Sequence, residues 1–247
     1  MRNIKLTMEY DGSRYDGWQR LGKNSGQTTI QGKVEEVLKK MTGEDIEIHG
    51  SGRTDAGVHA YAQVANFHTN STMKCYEIKH YLNRYLPRDI AVFDVQEVDE
   101  RFHSRLNVKS KKYVYRIAIG EVPSVFDRKY TYYSFDKLDV PAMKKAASYL
   151  IGKHDFKAFC SIKRMNKSTV REIYDIDIYN DGKEIQITVH GNGFLYNMVR
   201  IIVGTLMEVG RGERKAEDVK RILASKDREQ AGVTAAAQGL FLLEVEY

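Results

Sequence analysis

Ile46-Glu47-Ile48-His49-Gly50-Ser51-Gly52-Arg53-Thr54-Asp55-Ala56-Gly57-Val58-His59-Ala60-Tyr61-Ala62-Gln63-Val64-Ala65-Asn66-Phe67 sets two strand-like runs, 46–48 and 63–67, on either side of a glycine-punctuated loop. The loop carries a short carboxylate, Asp55, two residues from a guanidinium, Arg53. An Asp in such a loop can simply form the turn. It can also be a reactive group, and Asp55 is the candidate. A dinucleotide fingerprint is excluded, because Asp55 occupies the third glycine position and its charge would face a pyrophosphate. There is no G-x-x-x-x-G-K-[ST] string, and Ser51 is not in a G-x-S-x-G elbow.

Outward from this loop the period of the apolar residues changes back and forth. Ile4 to Tyr10 alternates like a half-buried strand and is broken by Asp11-Gly12. From Thr28, the residues Ile30, Val34, Val37, Leu38 and Met41 share one helical face; Thr28 with Gln31 resembles a capping box and Gly43 closes the helix. A second helix is predicted over 76–85, ending before Pro87, and a strand over 90–98. This strand-helix-strand-strand-helix-strand order is that of a split βαβ sheet.

The second half reads similarly, with strands over 113–119, 172–179, 184–190 and 240–247 and helices over 141–151, 194–209 and 216–224. The expected fold class is α+β, two halves sharing one mainly antiparallel sheet with a cleft between them. The first half is 1–107, with the Asp55 loop, and the second 108–247. No Pro/Gly-rich linker separates them.

Composition narrows the function classes. The chain has 247 residues, 42% hydrophobic and 29% charged, enough for a substantial core. No apolar run approaches twenty residues and the N-terminus lacks a signal pattern, so a cytoplasmic location and no membrane partner are expected. Cys75 and Cys160 suit reduced structural thiols, and the seven histidines show no metal-ligand spacing, so no metal is expected. A net charge of +6 is compatible with a polyanionic partner without requiring one.

Two further segments bear on chemistry. Phe194 to Leu206 is apolar around much of its helix yet carries Arg200. A buried guanidinium without an anion costs several kcal/mol, so Arg200 calls for a carboxylate or a phosphate, and Asp55 is the candidate partner. Such a pair would keep the carboxylate ionised. The plainer alternatives are a surface position or a structural ion pair. From Arg105 to Arg116, the cations Arg105, Lys109, Lys111 and Lys112 interleave with Tyr113 and Tyr115, which alternation puts on one face. Cations beside aromatic faces suit an unstacked base with its phosphates; two core tyrosines flanked by a solvated lysine edge would give the same pattern.

At these segments the chain resembles the tRNA pseudouridine synthase A family. The resemblance runs nearly end to end, through Tyr10-Asp11-Gly12, Gly17-Trp18-Gln19, Gly52 to His59, Phe102-His103-Ser104-Arg105, Tyr113-Val114-Tyr115, Asn192-Gly193-Phe194, Met198-Val199-Arg200 and Gln238-Gly239-Leu240. It implies the pseudouridine synthase fold, with two ferredoxin-like halves, and a cofactor-free isomerase that converts uridine to pseudouridine at positions 38–40 of the tRNA anticodon stem-loop. By the same resemblance Asp55 is the nucleophile, Tyr113 stacks on the target base and Arg200 pairs with the carboxylate. Arg53 helps displace the uridine, Leu240 lines the uracil pocket, and a homodimer binds tRNA. Tyr61-Ala62, Arg84-Tyr85 and Ala235-Ala236-Ala237 depart from the family's commoner residues, and this leaves a paralogue acting on other uridines as an alternative. A non-catalytic RNA-binding protein and a small-molecule hydrolase are the competing readings. The former leaves Asp55 without a role, and the latter leaves the basic, tyrosine-rich strand without one.

Overall fold

The computed structural model describes residues 1–20, 28–162 and 168–247. They form two compact units, Met1–Lys109 with Phe241–Tyr247, and Ser110–Leu240.

In the first unit, β1 (Arg2–Tyr10) buries Ile4, Leu6, Met8 and Tyr10, the alternate residues of its apolar face. It pairs antiparallel with β3 (His59–Thr69) on one side and with β4 (Ile90–Val98) on the other. Between the strands run α1 (Ile30–Thr42) and α2 (Cys75–Tyr85). The α1 cap is Thr29, not Thr28: its hydroxyl accepts the Gly32 N–H, and Gly43 closes the helix at φ 76°. Gln31 takes no part in a capping box. Its amide donates to Glu35 Oε1 and to the Ile48 carbonyl. The Ile48 N–H goes to Glu35 Oε1 as well, so residues 46–48 spend hydrogen bonds on a helix side chain and are not a strand.

The second strand of the split motif shrinks to β2 (His49–Gly50), antiparallel to β3 at Asn66 and Ala65. Beyond Gly50 the chain leaves the sheet as the Asp55 loop. The β3 edge it vacates, at His59 and Ala60, is taken in parallel by Phe241 and Leu242 of β10 (Leu240–Glu246). The sequence reading counts residues 240–247 with the second half; Phe241–Tyr247 packs with residues 1–109 because β3 has this open edge.

The second unit contains β5 (Ser110–Ala118), β6 (Tyr132–Tyr133), α3 (Val140–Ser148), β7 (Gly152–Asp155), β8 (Val170–Asn180), β9 (Glu184–Gly191), α4 (Met198–Gly210) and α5 (Asp218–Ser225). Strands β5, β9, β8 and β7 pair antiparallel in that order, and β6 adds in parallel to β5. Helix α3 packs on α4 and β8. Helix α4 starts at Met198, four residues later than the apolar pattern predicts, because Asn197 sits in the left-handed region at φ 61°. Arg200 therefore lies in the first turn and is half-buried, whereas Ile201 to Gly210 are buried throughout.

The segment 231–235 crosses α4 in backbone contact. Thr205 Oγ1 accepts the Gly232 N–H, Glu208 Oε1 accepts the Val233 N–H, and a Cβ on Gly204 would lie 1.8 Å from the Val233 carbonyl oxygen. Gly204→Ala must therefore push the segment off the helix. The expected loss is about 2 kcal/mol or more, read from urea unfolding against wild type.

Candidate active site

The Asp55 loop is gripped from below by buried polar side chains. Gln63, on β3 and fully buried, accepts the Ser51 hydroxyl at 2.7 Å and donates its amide to the Gly52 carbonyl at 3.0 Å. The same amide reaches the Tyr10 hydroxyl at 3.4 Å, which leaves the phenol proton for Thr54 Oγ1 at 2.8 Å. Burial, the largest influence, holds the Tyr10 phenol above its ordinary range, so it stays a neutral donor.

The chain between Tyr10 and Trp18 supplies a second grip. Trp18 N–H donates to the Thr54 carbonyl at 3.0 Å, Gly57 N–H to the Tyr15 carbonyl at 3.3 Å, and Gly12 N–H to His59 Nδ1 at 3.0 Å. Contact is close enough to require glycine at Gly17, φ 92°, where a Cβ would lie 2.6 Å from the Thr54 carbonyl oxygen. Gly50 fits against the Trp18 indole in the same way, at 2.5 Å. Val58 N–H donates to the Asp55 carbonyl, so Asp55 opens a tight turn, its side chain half-buried between buried Thr54 and exposed Ala56. Asp55 is thus both turn-former and presented carboxylate.

Also in the first unit, Arg53 and Arg105 are exposed and near enough to repel. Partial burial, then the Arg105 charge, lowers the Arg53 guanidinium from its ordinary value. Lys109, exposed, donates through Nζ to the Tyr247 carbonyl at 3.0 Å.

The second unit brings Arg200, Tyr115 and the approach to Leu240 together. Arg200 Nε donates to the Ala235 carbonyl at 2.7 Å while the Ala235 N–H returns to the Arg200 carbonyl at 3.1 Å. Arg200 Nη1 donates to Asn197 Oδ1 at 3.1 Å, and Asn197 in turn donates to Ser161 Oγ. The left-handed Asn197 therefore aims the guanidinium. Fully buried Tyr115 donates its hydroxyl to the Ala236 carbonyl and lies against Gly239, fixing the chain just before buried Leu240. Tyr115 is a core residue. Its neighbour Tyr113 is also buried and meets Phe194 edge-on, ring centroids 5.2 Å apart. Lys111 and Lys112 are half-buried at the start of β5.

Sequence reasoning missed Gln63, Asn197 and the Ala235–Ala236 carbonyls. Tyr10, Gly17 and Trp18 were visible as motifs, but their grip on the loop was not. Among the described residues, no group of three or more His, Cys, Asp or Glu is placed to hold a metal ion, and no helix is long and apolar enough to cross a membrane.

A family described as tRNA pseudouridine synthase matches residues 6–107 and 146–247. The chain belongs to this family. It is similar along its whole length to tRNA pseudouridine synthase A 2 of Bacillus anthracis, 50% identical over 247 residues and all of both chains. Tyr10, Trp18 and Gly52 to His59 fall inside the first matched family segment, and Arg200 and Leu240 inside the second. The relative tRNA pseudouridine synthase A 1 of Clostridium tetani is 51% identical, again over all of both chains.

Gln63→Leu removes the acceptor of the Ser51 hydroxyl and the donor to the Gly52 carbonyl. Unfolding free energy should fall by about 2–3 kcal/mol in urea, and the activity assigned below should fall at temperatures where the variant is still folded. Unchanged activity in a folded Gln63→Leu protein would show that the grip does not position the loop.

Proposed function

We propose that the protein isomerises uridine to pseudouridine in the anticodon stem-loop of tRNA, at positions 38–40, acting in the cytoplasm as a homodimer. The observation that carries the reading is the family membership, with half of all residues identical to named tRNA pseudouridine synthases across the whole chain. The Asp55 loop supports it, since a carboxylate on a rigid, glycine-bounded turn suits a nucleophile. The net charge of +6 suits a polyanionic substrate.

In the reaction the bond from uracil N1 to the ribose C1′ breaks, the base turns within the site, and its C5 joins the same sugar carbon. The C5 hydrogen leaves as a proton and N1 gains one, so the step is redox-neutral and consumes no water. Asp55 attacks, Arg200 keeps the carboxylate ionised, and Tyr113 receives the extruded base on its ring. Extrusion costs a few kcal/mol, offset in part by stacking and by phosphate contacts of Arg53, Arg105, Lys109, Lys111 and Lys112. Arg53 helps displace the uridine, and Leu240 lines the uracil site.

Release of tritium from tRNA labelled at uracil C5 tests the assignment. Asp55→Asn should lower release on the order of 10³-fold or more while tRNA affinity stays within about threefold. Release by Asp55→Asn at the wild-type rate would overturn the nucleophile, and tRNA binding by wild type without release would indicate a binding protein. Tyr113→Phe should keep stacking and lose only what the hydroxyl adds, whereas Tyr113→Ala should lose both. Normal turnover by folded Tyr113→Ala would remove the stacking role.

A further inference from the structure

The motif Phe102-His103-Ser104-Arg105 has no part in the chemistry above beyond a phosphate contact of Arg105, yet it is one of the most firmly anchored loops of the first unit. Ser104 is fully buried; its N–H donates to Asn66 Oδ1 at 2.9 Å, its hydroxyl to the His49 carbonyl, and its carbonyl accepts the Tyr247 hydroxyl at 2.7 Å. Asn66 donates to Asn3 Oδ1, and Asn3 donates to the carbonyls of Asp99 and Phe102. Three buried amide and hydroxyl side chains thus fix a loop whose next two residues, Arg105 and Leu106, are exposed.

What this anchoring fixes is a group of basic side chains. The His103 ring stacks on the His49 ring, centroids 5.0 Å apart at 22°. Its Nδ1 accepts the Arg105 N–H at 3.1 Å, so the hydrogen of the neutral ring is on Nε2, where it can be donated. Burial first, then His49, Arg105 and His68, lowers the His103 imidazole from its ordinary value. Earlier in the same stretch, the Asp99 carboxylate accepts the Arg101 N–H, and Glu100 presents its carbonyl to His68. Arg105 in turn acts on Arg53, in the Asp55 loop. A folded chain that assembles like charges on a rigid loop leaves a site complementary to an anion.

We propose that His103 and Arg105, with His49 stacked on His103 and Arg53 alongside, dock one phosphodiester of the RNA strand that carries the target nucleotide. The inference rests on the RNA-isomerase reading above and adds to it a phosphate clamp next to the catalytic loop. Without an anion, burial and the neighbouring basic groups disfavour the charged His103 ring. A phosphodiester reverses the balance and draws a proton onto His103, so binding takes up a proton and tightens as pH falls through the imidazole range.

The test is the dissociation constant of a fluorescently labelled tRNA transcript, measured for wild type, Arg105→Gln and His103→Gln across a salt series at about pH 6 and about pH 7.5. Arg105→Gln, at an exposed position, should bind about three- to tenfold more weakly and with a log–log salt slope shallower by about one. Wild type should tighten on going to the lower pH, and His103→Gln should not. Each pH comparison is made within one protein, so a general loss of affinity cannot imitate it; if His103→Gln does not fold, His103→Asn takes its place. Wild-type affinity and slope in Arg105→Gln, or undiminished tightening in His103→Gln, would overturn the clamp while leaving the isomerase reading intact. A flat salt dependence in wild type would instead defeat the RNA reading itself.

Discussion

The buried amide of Gln63 is the interaction on which the first unit's architecture turns. One side chain satisfies the Ser51 hydroxyl, the Gly52 carbonyl and the Tyr10 hydroxyl, and the Tyr10 hydroxyl is in turn hydrogen-bonded to Thr54. Gln63, Ser51, Tyr10 and Thr54 are buried, and each hydrogen bond left unmade there costs about 1–3 kcal/mol. The loop cannot move away from β3 without breaking several at once. A carboxylate at the tip of such a loop is held by the protein itself, and a reaction that used it would not have to order it first.

The second unit uses a different device for its cation. Arg200 is aimed by a reciprocal pair of bonds with Ala235 and by a left-handed Asn197, a conformation that Asn tolerates better than most residues. The same strap, 231–239, is held to α4 by Thr205 and Glu208 and to β5 by Tyr115. The widely separated motifs around Tyr115, Arg200 and Gly239 are therefore one packing unit, and a defect in any of them should propagate to the others.

Much of this was legible in the sequence. Strand β4 was readable to the residue, and β1, β9, α1 and α2 to within two or three; burial alternates cleanly along β9 and over most of β1. The errors have tertiary causes. Residues 46–48 alternate like a strand, but Glu35 captures the Ile48 N–H. Phe194 to Asn197 look helical, but Asn197 adopts φ 61°. Residues 240–247 belong by chain order to the second half, but the β3 edge left open by the short β2 takes Phe241–Tyr247. The candidate site residues were nameable from motifs. Their supports were not, since a buried Gln at position 63 looks in sequence like any polar residue of an alternating strand.

The Asp55 loop is rigid before RNA arrives, and amide hydrogen exchange of residues 50–58 in the free protein tests this most directly. The Ser51 N–H, bonded to the Val64 carbonyl, and the Val58 N–H, bonded to the Asp55 carbonyl, should exchange as slowly as the amides of β3 and change little when tRNA is added. Exchange at the rate of an unstructured chain until tRNA binds would contradict the account, and would make the loop's order a product of the substrate.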